Sequence, residues 1–194
     1  MYTHDYSDLG DSNILFAKKL LKADKILVES KNGFVLSETY KESLKDSRAG
    51  FKNVKIINFW TNFSLAVELI CKGIAINQEI DIFSKLKGFE NKFPHKYDWG
   101  AKIVVSKNPW LDNILKKKRI THSSMLSTGT LGSLITKCYP NFKVTCSFDT
   151  EEKLKCKTFL TKLTNHRRNR DAHFFFKTAV LQHNRDLESE YLPM

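Results

Sequence analysis

The chain has 194 residues, enough for one domain with a sizeable core and an added extension. Hydrophobic residues make up 41% and charged residues 27%, which excludes a disordered or membrane-embedded class. The formal net charge of +11 disfavours partners of like sign and favours nucleic acid or another polyanion.

Only four prolines and eight glycines interrupt the chain, which favours long helices over a turn-rich β fold. Cys71, Cys138, Cys146 and Cys156 form neither a C-x-x-C pair nor a zinc-ligand spacing, and read as thiols of a reducing compartment. The start, MYTHDYSDLG, has no basic n-region and no apolar h-region. No apolar run approaches the about 18 residues of a membrane span. A cytoplasmic protein without a membrane partner is expected.

In chain order, residues 12–30 read as an amphipathic helix, with Ile14, Leu15, Leu20, Leu21, Ile26 and Leu27 as its apolar set and Ser12 as its N-cap. Asn32-Gly33 is a turn signal, and residues 36–48 read as a second, more polar helix. Residues 54–76, VKIINFWTNFSLAVELICKGIAI, are apolar on nearly all faces and predict a central helix. Glu68 and Lys72 are its interior charges, spaced i, i+4 in the favourable order. They make either a partly exposed pair or the lining of a site, because a charge on so apolar a helix is costly otherwise.

Residues 87–100 read as a loop leading into the next helix. That helix spans 108–120, with Asn108 as N-cap, Pro109 at its first position and the run Lys116 to Arg119 at its end. The cationic run suits either a solvated face or the tracking of phosphates. Residues 124–137 read as helical with a weak point at Gly129 or Gly132. Residues 141–149 alternate with period two, a short extended segment. Asp149 and Glu152 then form a capping-box-like start for a last helix over 150–182.

That helix carries LTNHRRNRDAHFFF, residues 163–176. Thr164 to Asp171 are eight polar residues in a row, enough to cover every face of the helix for two turns. His166 and His173 are seven apart and share a face; Asn169 lies between them, and Arg167, Arg168 and Arg170 supply charge. Two histidines about 10.5 Å apart along the axis, amid arginines, fit a metal badly. A solvated band is the common fate of charge runs, but it suits poorly a helix flanked by core residues. A phosphate site fits the residue types. Arginine offers phosphate a fork of donors, and a histidine kept neutral by neighbouring cations can take a proton. Arg plus His at one phosphate suffices to cleave RNA without a metal or cofactor.

Arg168-Asn169-Arg170-Asp171-Ala172-His173 resembles the R-polar-x3-H signature of the HEPN superfamily (higher eukaryotes and prokaryotes nucleotide-binding). FSLAVELICKGIAI, with Glu68 and Lys72, is similar to that family's first core helix, and FPHKYDWG to the histidine-containing segment after it. The resemblance covers residues 54–181 and implies an all-α fold. The expected layout is an N-terminal helical extension over 1–50, a HEPN-like helical bundle over 51–185 and a tail over 186–194. The short extended segment falls near 142–148.

The resemblance further implies a metal-independent endoribonuclease. It would be a homodimer with a composite active site, acting as a toxin or as an antiviral, abortive-infection effector, with an antitoxin or sensor as a further partner. Arg168 and His173 are then the catalytic residues and Asn169 their positioning group. The physical reading adds His166, Arg167 and Arg170 as RNA contacts, and Glu68 with Lys72 as cleft-lining candidates. No metal and no cofactor is called for. The alternatives are a non-catalytic helical module that binds RNA or nucleotide through the same band, and an assembly protein whose arginines meet a partner's carboxylates.

Overall fold

The structure is a computed structural model that describes residues 3–31, 33–39, 52–86, 101–129 and 132–134, together with residues 151, 155, 158, 159, 161 and 163. The elements run in the order β1 (Thr3–Asp5), α1 (Leu9–Ala23), β2 (Leu27–Ser30), β3 (Gly33–Leu36), α2 (Lys52–Asn77), β4 (Phe83–Lys85), β5 (Lys102–Val104), α3 (Pro109–Lys117), a 3-10 turn (Ser123–Met125) and β6 (Leu126–Thr128). The chain divides into two compact units, one drawn from Met1–Ile14 and Ile70–Lys143, the other from Leu15–Leu69 and Val144–Met194. No described helix is long and apolar enough to cross a membrane.

The strands overturn the expectation of an all-α HEPN-like bundle. Three two-stranded sheets are present among the described residues: β1 with β5, β2 with β3, and β4 with β6. The segment expected to be a helical extension itself contains β1, β2 and β3. Each strand is three or four residues long. Such short runs carry no periodicity of their own, and pairing with a remote partner decides their conformation.

In the first unit β1 lies parallel to β5, with Thr3 opposite Lys102 and Asp5 opposite Val104. A bridge from Lys102 to His122 extends this pair on its other side. Residues 126–128, expected to be helical, form β6 against β4, with Phe83 opposite Thr128 and Lys85 opposite Leu126. Helical structure reappears at residues 132–134. Ile76, Phe83, Leu111, Leu115, Ile120 and Leu134 are buried here.

α3 forms as its sequence dictates. The Asn108 side chain accepts a hydrogen bond from the Leu111 amide at 3.0 Å, and Pro109 occupies the first turn, where its missing N–H costs nothing. Leu111 and Leu115, one turn apart, face inward. The cationic run at its end is half neutralised. Lys116 pairs with Asp112 at 2.6 Å and Lys118 with Asp81 at 2.6 Å, and Lys118 also donates to the Phe83 carbonyl.

The expected helix over 12–30 divides into α1, whose residues are shared between the two units, and β2 of the second unit. Ser12 is not its cap: the Ser12 amide donates to the Asp8 carbonyl at 2.9 Å, inside a first turn that begins earlier. The helix stops at Lys25, which adopts φ 55°, and the Ser37 hydroxyl seals the freed Lys25 carbonyl at 2.8 Å. The chain then forms a hairpin with Leu27 opposite Leu36, Val28 opposite Val35 and Ser30 opposite Gly33. Ser30 opposite Gly33 leaves a two-residue connection where the Asn-Gly signal stands. Leu36 is therefore in a strand; the expected helix after it is seen only at Glu38 and Thr39, and residues 40–50 lie outside the described residues.

α2 appears where expected, at 26 residues. In the second unit the Asn62 side-chain amide donates to Asp24 at 2.8 Å, and Phe63 meets Phe159 edge-to-face at 6.1 Å between centroids. α2 and α3 close in the same way. The Glu79 amide donates to Ile76 and the Ile80 amide to Ala75, just as Arg119 donates to Lys116 and Ile120 to Leu115. These are Schellman turns, yet the left-handed residue is Glu79 (φ 56°) or Arg119 (φ 54°) instead of glycine.

Candidate nucleic-acid interface

The site proposed from sequence was expected on the last helix. Glu151, Lys155, Thr158, Phe159, Thr161 and Leu163 are helical, within the helix expected over 150–182; Asp149 and Glu152, the expected capping box, lie outside the described residues. Lys155 pairs with Glu151 at 2.8 Å, an i, i+4 contact that supports this turn and lowers the Glu151 pKa through hydrogen bonding and charge. Phe159 packs on Phe63 of α2, and Leu163 is 1% exposed. Of the apolar frame expected ahead of the cationic band, Leu163 is in the core and Phe159 is half-buried, while Leu154 and Leu160 lie outside the described residues. His166, Arg167, Arg168, Asn169, Arg170 and His173 lie outside the described residues, as do the 87–100 segment and the extended segment near 142–148.

Glu68 and Lys72 are described, and both are half-buried on α2. Glu68 stands five residues after Phe63, about 140° round the helix from the ring that meets Phe159. Among the described residues no group of three or more His, Cys, Asp or Glu side chains has the spacing to hold a metal ion.

Two features escaped the sequence reading. The first is a knot at the ends of β1 and β5. Asp5 Oδ1 accepts from the Ser7 hydroxyl at 2.6 Å and the Ser7 amide at 2.9 Å, and Oδ2 accepts from the Ser106 hydroxyl at 2.7 Å. The Ser7 oxygen in turn accepts from the Ser106 and Lys107 amides, each at 2.9 Å. The Ser7 and Ser106 hydroxyls hold the Asp5 carboxyl at a pKa of about 2, below its ordinary 3.8. A depressed folded-state pKa contributes stability that is complete above the unfolded value and is lost as pH falls through the folded one. The wild type should therefore melt above Asp5→Asn near neutral pH. The gap should narrow below 3.8 and close below about 2. A gap that persists in stronger acid would show that shape, not charge, holds the knot.

The second feature is the outward face of α1. Ala17 is fully buried and Leu21 is 8% exposed, which fixes the inner stripe. Leu15, counted with the apolar set in sequence, is instead 57% exposed, and Phe16, which that set left out, is 53% exposed. Lys18, Lys19 and Lys22 are exposed beside them. Lys22 reaches Glu29 at 3.2 Å, while Lys18 and Lys19 carry no ion pair or hydrogen bond from their side chains among the described residues. The sequence signal was present: only the stripe through Ala17 and Leu21 has the 3.6-residue period, and Leu15 and Phe16 fall off it.

Comparison with known protein families, with curated protein sequences and with solved structures finds no match to this chain.

Proposed function

We propose that the protein is an endoribonuclease that works by HEPN-type, metal-independent chemistry, with Arg168 and His173 as its catalytic residues. The observation that carries this reading is the run Arg168-Asn169-Arg170-Asp171-Ala172-His173, which follows in sequence the helical residues Phe159, against Phe63, and Leu163, 1% exposed. The reading rests on these residues and their chemistry, and not on the shape of the fold. The net charge of +11 supports a polyanionic substrate.

In this mechanism His173 takes the proton from a ribose 2′-OH. The 2′ oxygen attacks the adjacent phosphorus, and the bond to the departing 5′ oxygen breaks. The Arg168 guanidinium stabilises the charge that develops on the phosphoryl oxygens. Asn169 orients the histidine or the phosphate. His166, Arg167 and Arg170 hold the neighbouring strand, and two copies of the chain bring two such motifs to one cleft. A cytoplasmic toxin or antiviral effector, restrained by an antitoxin or a sensor, is the cellular role this chemistry suits.

The test is digestion of RNA in EDTA with analysis of the product ends. Cleavage should persist and leave 2′,3′-cyclic phosphates. A requirement for a divalent ion, or 3′-hydroxyl ends, would sink the proposal. Salt-dependent binding with no cleavage would identify a non-catalytic RNA- or nucleotide-binding module instead.

A further inference from the structure

We propose that the outward face of α1, formed by Leu15, Phe16, Lys18 and Lys19, grips a single strand of RNA. The inference deepens the ribonuclease reading by naming a substrate grip, and it rests on that reading only for the statement that the strand is a substrate.

At about 100° per residue, Leu15, Lys19 and Lys22 lie about 140–200° round α1 from Ala17, with Lys18 and Phe16 about 100° to either side. The outer surface of the helix therefore interleaves two large apolar side chains with three lysines. Phe16 is 53% exposed, an aromatic side chain carried on a helix. Lys18 and Lys19 have no carboxylate partner among the described residues, although Lys22 nearby has found Glu29. Like charges three and four residues apart destabilise a helix slightly unless something neutralises them.

Unpaired cations beside an exposed aromatic are the pattern by which proteins hold single-stranded nucleic acid. The cations meet phosphates, and the ring stacks on a base whatever its identity. The same face suits other occupants less well. An interfacial membrane helix needs its apolar stripe for the lipid, and the stripe of α1 is already buried through Ala17 and Leu21. A protein partner favours a patch with charge depleted at its centre, and here Lys19 sits between Leu15 and Phe16 on the helical wheel.

The test uses the full chain carrying His173→Ala, a labelled oligouridine and fluorescence anisotropy over a range of salt. Phe16→Ala should raise Kd about tenfold through loss of one stacked base. Lys18→Glu with Lys19→Glu should lower the slope of log K against log salt by about 1.4, the loss of two phosphate contacts. Lys31→Glu with Lys102→Glu, which changes the net charge equally, should leave most of that slope in place. Thermal melts should match throughout, because the replaced side chains are exposed. Wild-type affinity in Phe16→Ala, or an equal fall in slope for the control pair, overturns the proposal. Loss of binding to phosphatidylserine vesicles with oligouridine binding intact overturns it as well, in favour of a membrane contact. Failure of the ribonuclease reading is separable: a chain that cleaves nothing still yields these affinities.

Discussion

His173→Ala is expected to lower the rate of RNA cleavage by about 100- to 10,000-fold, the usual worth of a positioned general base. RNA affinity and the melting temperature should stay near wild type. Arg168→Ala should cost a similar factor, because the guanidinium acts on charge that appears only as the phosphorus is attacked. Arg168→Lys separates charge from geometry: it keeps the cation and loses the bidentate fork, so only part of the rate should return. The double variant should be little worse than either single one, since residues that act as a unit are not additive. Single-turnover measurements in EDTA, with folding checked by circular dichroism, decide the matter. Cleavage that survives both substitutions would remove the motif from the chemistry altogether.

Gly73 carries the second large effect, on stability. Within the first unit α1 and α2 approach at Gly10 and Gly73. A methyl added at Gly73 would lie 2.7 Å from the Gly10 carbonyl oxygen and 2.7 Å from Ile14 Cγ1. The first obstacle is backbone, so relief requires moving a helix. Helix propensity alone predicts that Gly73→Ala stabilises by about 1 kcal/mol. Overpacking works against it and should win, leaving a net loss of about 1–2 kcal/mol, and about 3 kcal/mol for the bulkier Gly73→Val. Gly10→Ala meets chiefly the Asn77 side chain, at 1.8 Å from its Oδ1, which can swing aside at the cost of its 2.7 Å bond to Asp11. Its penalty should be the smaller of the two. Urea midpoints measure all three, and a gain in stability for Gly73→Ala would mean that the helices do not approach this closely.

The parts of the fold that were legible in sequence carry their own local signals. Asn108 and Pro109 announce α3, the apolar density of residues 54–76 announces α2, and Asn32-Gly33 marks the hairpin turn. What was illegible depends on distant partners. β1 and β5 are three residues each, and Thr3 finds its place only beside Lys102. The end of α1 was missed because Lys25 takes a left-handed conformation that glycine or asparagine usually supplies, held there by Ser37. For the site, the band from Thr164 to Asp171 was visible because it breaks helical patterning. The face of α1 was not, because Leu15 was counted by hydrophobicity and not by angle, and Phe16 was not read at all.

Lys25, Glu79 and Arg119 each stand two residues beyond the last residue of α1, α2 and α3. A left-handed residue with a Cβ costs about 1–2 kcal/mol relative to the ordinary right-handed backbone, and glycine avoids most of that. α1, α2 and α3 thus each end on a conformation their own residues resist. Folded domains hold a net stability of only about 5–15 kcal/mol, so the three ends together are a sizeable reserve. Glycine at these positions offers a route to a sturdier protein that alters neither the band on the last helix nor the outward face of α1.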